Sequence, residues 1–351
     1  MKISEIDKNL AVETTVSKDD IVWLNAADSP FKIYGATGAE PYVRMPDNIA
    51  KTVSEGVCGL SKNTAGIRIR FRTNSPYIAI HSEWSSLTVM PHMPISGSSG
   101  FDLYRYSNNN QIYAGTFMPS PSSHKGYDSL KELWTNEMTD YVINFPLYNS
   151  VDKLYIGVSK NAEFETPAEY KNEKPVVFYG SSITQGGCAS RPGNCYQNFL
   201  SRALDIDYVN LGFSGNGKAE DEIVEYMANM DMCAFVSDYD HNAPNAEHLK
   251  KTHYKMYKAI REKNPNIPYI ILSKPDYHIG NTADDTRRNI IMETFIKAKA
   301  DGDKNVYFVD GASLFAADEW FACTVDGCHP NDLGFYRFAH ALIPVFKTIF
   351  K

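Results

Sequence analysis

The hydrophobic period of this 351-residue chain changes near residue 165, and that change sets what it can fold into. Before it, short runs alternate apolar and polar residues with period two, as half-buried strands do. Gly66-Ile67-Arg68-Ile69-Arg70-Phe71-Arg72-Thr73 is the clearest. Tyr77 to Trp84 follows across the Asn74-Ser75-Pro76 turn. Gly100 to Tyr106 and Ile112 to Phe117 flank Asn108-Asn109-Asn110, a hairpin signal. Asp140 to Phe145 and Leu154 to Val158 continue the series. This spacing predicts a β-sandwich or jelly roll over residues 1–165.

Beyond about residue 170, strand-like runs alternate with helical ones. The strands expected are Val176 to Tyr179, Tyr208 to Leu211, Cys233 to Ser237, Tyr269 to Leu272 and Val306 to Val309. Between them, Leu249, His253, Met256, Tyr257 and Ile260 recur on one helical face. Asp284 to Ala300 starts acidic and carries Lys297 and Lys299 at its end, as the helix dipole favours. Asp332 to Ile349 reads as the last helix. Such alternation predicts a parallel sheet covered on both faces, over residues 166–351. The acidic segment Ser159 to Glu173 reads as a linker.

Composition narrows the partners. The net charge of −7 argues against nucleic acid or an anionic membrane. No run of about 18 apolar residues predicts a membrane span. The start, Met1 to Asp7, has no apolar core of signal-peptide length, so the expectation is a cytoplasmic protein. Six cysteines in such a protein are expected to be free thiols. Two pairs, Cys188 with Cys195 and Cys323 with Cys328, lie in loops beside candidate catalytic residues. Cys323-x4-Cys328-His329 lacks the second ligand pair of a zinc finger.

Four constellations carry chemistry. Phe178-Tyr179-Gly180-Ser181-Ser182-Ile183-Thr184-Gln185-Gly186 ends a strand at a glycine and two serines, where open α/β sheets place their ligand crevice. A serine hydroxyl there needs a base. Asp326-Gly327-Cys328-His329 offers one: the carboxylate can hold Nδ1 while Nε2 takes a proton. Asn210-Leu211-Gly212-Phe213-Ser214-Gly215-Asn216-Gly217 places a glycine N–H after the second strand. It matches neither G-x-G-x-x-G nor G-x-S-x-G, and Ser214 stays a rival nucleophile. Asp238-Tyr239-Asp240-His241-Asn242 follows the third strand; Asn242 can donate to an oxyanion. Its spacing fails the EF-hand pattern, while phosphoryl transfer through an Asp nucleophile stays an alternative.

These residues, in this order, resemble the SGNH (GDSL-like) hydrolases over residues 175 to 345. Gly180-Ser181-Ser182-Ile183-Thr184 is similar to the first block, with Ser181 where the family usually has aspartate. Gly215 matches the second block, Asn242 the third, and Asp326 with His329 the fifth. Asp240 is the other candidate for the third-block place. Ala189-Ser190-Arg191-Pro192-Gly193 and Gly100-Phe101-Asp102-Leu103-Tyr104 resemble a branch with an N-terminal GxDLY domain. The resemblance implies a three-layer α/β/α, flavodoxin-like catalytic domain and a serine esterase acting without metal or cofactor. It implies Ser182 as nucleophile, His329 as base and Asp326 as its orienter. The oxyanion hole would comprise Ser182 N–H, Gly215 N–H and the Asn242 side chain. The expected substrate is a small acyl ester, O-acetyl on a carbohydrate foremost, with Trp84, His92 and Asp240 as substrate contacts. A lipid or thioester acylhydrolase and a carbohydrate-binding protein with a relict hydrolase domain are the alternatives. Self-association is left open.

Overall fold

The computed structural model describes residues 14–107, 110–133, 135–275, 282–315 and 318–350. Asn108 and Asn109 of the expected hairpin turn lie outside these residues, as does Met1 to Asp7. Ten strands are described in the first half: β1 (Ile21–Asn25), β2 (Lys32–Tyr34), β3 (Arg68–Thr73), β4 (Tyr77–Glu83), β5 (Phe101–Ser107), β6 (Asn110–Phe117), β7 (Gly126–Glu132), β8 (Thr139–Asn144), β9 (Lys153–Ser159) and β10 (Phe164–Glu165). They pair antiparallel in two sheets, β1-β9-β4-β7 and β10-β3-β8-β5-β6, with β2 against β3. The inner faces share one core, Ile69, Phe71, Leu103 and Ile143 from one sheet and Ile78, Ile80, Ile156 and Val158 from the other.

The second half carries β11 (Val176–Gly180), β12 (Tyr208–Gly212), β13 (Ala234–Asp238), β14 (Tyr269–Leu272) and β15 (Val306–Val309). They form a parallel sheet in the order β12-β11-β13-β14-β15. The order reverses beside β11, so the crevice of an open sheet opens at its carboxyl end. The helices are α1 (Asp47–Val53), α2 (Glu55–Leu60), α3 (Ile95–Ser98), α4 (Ser182–Gln185), α5 (Tyr196–Leu204), α6 (Asp221–Ala228), α7 (Ala246–Lys263), α8 (Thr282–Ala300) and α9 (Asp332–Ile349). Because β-strand side chains alternate, Phe178, Tyr208 and Val236 face α5 and α9, while Val177, Tyr179 and Phe235 face α6, α7 and α8. The short helices α1 and α2, from the first half, join the second of these layers through Ala50 and Val57.

Two expectations are corrected. The charged face of β3 does not meet solvent: Arg68 and Arg70 are buried. Arg68 pairs with Asp207, donates to Tyr170 Oη at 2.9 Å, and lies over the Tyr208 ring. Arg70 lies between the rings of Tyr106 and Tyr170. Period two was right, but the second face packs on the other half of the chain. Nor is Ser159 to Glu173 a free linker. β10 pairs with β3, Tyr170 is buried against the two arginines, and Glu169 accepts from Lys32 and Tyr34.

The halves are also locked at one buried carboxylate. Asp102 Oδ2 accepts from Arg191 at 2.8 Å and from the backbone N–H of Gly193 at 2.8 Å. Its Oδ1 accepts from Asn144 Nδ2 at 2.8 Å. Asp102 is fully buried, and removing it takes the carboxylate from Arg191, leaving the guanidinium with Tyr104 Oη alone among its described hydrogen-bond acceptors. Asp102→Ala is expected to cost about 3–5 kcal/mol in urea unfolding, with Arg191→Ala adding much less in the double variant. A midpoint unchanged from the parent would rule this lock out.

Candidate active site

The site begins with the chain's exit from β11. A Cβ at Gly180 would lie 2.1 Å from the Asp238 carbonyl oxygen, so only glycine lets the strand end here. Ser181 is extended and caps the one-turn helix α4: its Oγ accepts the Ile183 N–H at 3.1 Å, and Thr184 Oγ1 accepts the Ser181 N–H at 3.1 Å. Gly186, at φ 114°, ends the turn. Ser182 is thereby the first helical residue, with an N–H that has no intrahelical acceptor. Its side chain stands at the carboxyl edge of the sheet.

The turn before α9 faces it. Asp326 Oδ1 accepts the N–H groups of Cys328 at 3.0 Å and His329 at 2.7 Å. Its Oδ2 lies 2.7 Å from His329 Nδ1, and His329 Nε2 lies 2.9 Å from Ser182 Oγ. Partial burial opposes charge on Asp326, yet the two backbone N–H groups and the imidazole outweigh it and hold its carboxyl down at about 2. An ionised carboxylate on Nδ1 leaves the lone pair on Nε2, aimed at the hydroxyl. Such a set can move a proton from oxygen to imidazole and back.

Ser182, Ser214, Gly215, Asn242 and His329 line one open pocket of about 450 Å³. Gly215 has φ +67°, which turns the loop after β12 toward Ser182. Asn242 Nδ2 donates to the Phe213 carbonyl at 3.1 Å, and an amide nitrogen has a second hydrogen to offer. Gln185 Oε1 accepts the Ser214 N–H at 3.0 Å, and Tyr148 Oη donates to the Ser182 carbonyl at 3.1 Å. These last two supports carried no sequence signal, since each acts through backbone groups brought together only by the fold.

Residues 173–347 match the GDSL-like lipase/acylhydrolase family, and residues 21–164 match the N-terminal GxDLY domain of SGNH-hydrolase-type esterases. The chain belongs to the GDSL-like lipase/acylhydrolase family. It is an esterase. A GDSL-like lipase structure from Bacteroides ovatus ATCC 8483 is 29% identical, covers 94% of this chain and 98% of its own, and superposes with a TM-score of 0.85. The salicylyl-acyltransferase SsfX3 of a tetracycline biosynthetic pathway shares the fold at 17% identity, 95% and 98% coverage and a TM-score of 0.77. So does an acetyl xylan esterase from the rumen bacterium Butyrivibrio proteoclasticus, at 14% identity, 93% and 98% coverage and 0.58. No curated protein matches by sequence. Among the described residues no helix of this GDSL-like esterase is long and apolar enough to cross a membrane.

The remaining sequence candidates divide. His92 reaches the site, its ring 5.5 Å from that of His329. Trp84 does not. Directly after β4, it is buried in the sandwich core, packs on Tyr127, and donates its indole N–H to the Ser123 carbonyl at 2.9 Å. Asp240 does not line the pocket that Ser182 lines, although its partners His241 and Lys274 do. It is buried and accepts from the Lys274 N–H at 3.2 Å and from His241 Nδ1 at 2.9 Å. Burial alone would raise its carboxyl, but the hydrogen bond and charge of His241 together with the Lys274 N–H outweigh it and keep the group below the usual range. His241 Nε2 in turn lies 2.7 Å from Ser181 Oγ, so the residue before Ser182 is held by a second carboxylate–imidazole pair.

Asp238, at the end of β13, behaves oppositely. It is fully buried, and burial drives its carboxyl up to about 7 despite donors at Thr184 Oγ1 (2.9 Å) and Tyr196 Oη (3.2 Å). The ordinary value is 3.8, so between about pH 4 and 7 the folded chain keeps a proton that the unfolded chain has lost. Stability therefore falls as pH rises through that window. The neutral variant Asp238→Asn should gain on the parent from pH 4 to 7, by an amount on the order of a few kcal/mol, and gain no more above. Urea midpoints across pH check this; an offset that stays flat would contradict it.

Proposed function

We propose that this esterase removes small acyl groups, acetyl foremost, from carbohydrate esters through Ser182, His329 and Asp326. The observation that carries the reading is the unbroken line from Asp326 Oδ2 through His329 to Ser182 Oγ, at 2.7 and 2.9 Å, opening on the pocket. Ser182 Oγ attacks the acyl carbonyl while His329 Nε2 takes its proton. Charge develops on the carbonyl oxygen, and the N–H groups of Ser182 and Gly215 with the Asn242 amide, all on the pocket wall, would receive it. His329 then returns the proton to the leaving sugar oxygen. Water attacks the acyl-enzyme by the same relay and releases the acid.

The pocket wall favours a short acyl group over a lipid chain. Among the described residues it is built from serines, glycine, asparagine and charged or imidazole groups with Cys328, and no aliphatic chain, Phe, Tyr or Trp lines it. The fold shared with an acetyl xylan esterase agrees with a sugar ester. The intact serine, histidine and aspartate set weighs against a relict domain that only binds.

Acetate release from a panel of acetylated oligosaccharides tests the reading. Ser182→Ala should lower kcat about 10³-fold or more, and Asn242→Ala about 10²–10³-fold. Acetyl esters should be cleaved faster than octanoyl esters. Full activity in the Ser182 variant, or a strong preference for octanoyl chains, would overturn the proposal.

A further inference from the structure

We propose that His92, Cys188 and His329 form a site for a borderline-soft divalent cation such as Zn²⁺, whose binding switches the esterase off. Each residue presents one donor atom, and the three donors lie within 4.8 Å of one another. They come from three separate segments: the loop before α3, the loop after α4, and the turn before α9. The rings of His92 and His329 are 5.5 Å apart and inclined at 56°, neither stacked nor parallel. The Cys188 N–H donates to the Pro330 carbonyl at 2.8 Å, which fixes the cysteine alongside the His329 turn.

Imidazole nitrogen and thiolate sulfur are both donors that zinc takes, and three protein ligands leave the fourth tetrahedral position to water. Asp326 on Nδ1 supplies the carboxylate that orients and strengthens a metal-binding imidazole. The lone pair left on Nε2 is the one the metal would take, in place of the hydrogen bond to Ser182 Oγ. On binding, the aqueous ion exchanges waters for the two imidazole nitrogens and the Cys188 sulfur, Cys188 gives its proton to solvent, and the Ser182–His329 hydrogen bond is lost. Neither His92 nor Cys188 has a part in the ester hydrolysis above, so that chemistry does not explain why they converge on its base. The inhibitory consequence rests on the esterase role of His329; the metal site does not.

The test separates the two. Equilibrium dialysis of the parent and of Ser182→Ala with Zn²⁺ alone should give one ion per chain in both. Substituting Co²⁺ should produce a thiolate-to-metal charge-transfer band that Cys188→Ala lacks. Cys188→Ala should hydrolyse p-nitrophenyl acetate much as the parent does, yet need at least about 10-fold more Zn²⁺ for half inhibition. Inhibition of the parent should be relieved by a chelator and by excess substrate. If Cys188→Ala fails to fold by circular dichroism, His92→Asn makes the same binding comparison. Absence of stoichiometric binding to the parent, or equal binding and inhibition in parent and Cys188→Ala, would overturn the site. Binding without any esterase activity in the parent would refute the proposed function and leave the site standing.

Discussion

The carboxylate of Asp102 is the constraint from which the geometry of the cleft follows. It has no exposure, and its charge is held by three N–H donors, two of them from the other half of the chain. Hydrogen bonds to a buried charge are short and geometrically selective, so they admit one docking of the halves and penalise others. The effect propagates. Ser190 and Asn194, flanking Arg191, donate to Asp332 at the start of α9. Asp332 lies three residues past His329, and Cys188 holds Pro330 between them. The sandwich therefore sets where the imidazole stands, although it contributes no side chain to the relay itself.

A second buried charge does the same for the loop after β12. Arg44 has no carboxylate among its described partners. It donates to the carbonyls of Asn63, Leu60, Asn210 and Gly212, and burial pulls its guanidinium down to about 9. Collecting carbonyl oxygens at the end of β12 fixes the direction in which Gly215 leaves the sheet. Asn210 and Gln197 also donate to the Thr184 carbonyl, each at 2.7 Å, which ties α4 to the same corner. The turn of Ser182 is thus tied to β12 and α5 by amides, and β12 in turn is held by a guanidinium.

What could be read in the sequence follows from how each element is buried. The five parallel strands are largely buried, so each carries a short apolar run, broken by Asn210 in β12 and by Ser237-Asp238 at the end of β13, with only the edge strand β15 partly open. The face of α7 is legible because its buried residues are those at 3.6-residue spacing. β7, Gly-Tyr-Asp-Ser-Leu-Lys-Glu, is half-exposed along its length and has no clean alternation. β10 has two residues and exists only because β3 is there to pair with it. At the site, the residues proposed for the chemistry were visible because they stand in short, compositionally distinct segments: the side chains of Ser182, Asn242, Asp326 and His329, and the glycine at 215. Arg44, Tyr148 and Gln185 were not, because their partners are carbonyls and N–H groups far along the chain. The motifs Gly100 to Tyr104 and Ala189 to Gly193 looked independent. They are two sides of one contact, in which a Cβ at Gly193 would meet Asp102 Oδ2 at 2.6 Å.

The buried arginines of the first half have a consequence for the order in which the chain is made. Arg44 waits for carbonyls 166 and 168 residues further on, and Arg68 for a carboxylate 139 residues away. Until β12 leaves the ribosome, the finished sandwich presents these cations and the apolar faces of α1 and α2 to water. Domains emerge amino end first, and uncovered apolar surface invites non-native association. Here the half synthesised first is completed by Asp207 and β12 of the second, so during translation the nascent chain passes through an interval in which the sandwich's own charges and apolar faces await their partners.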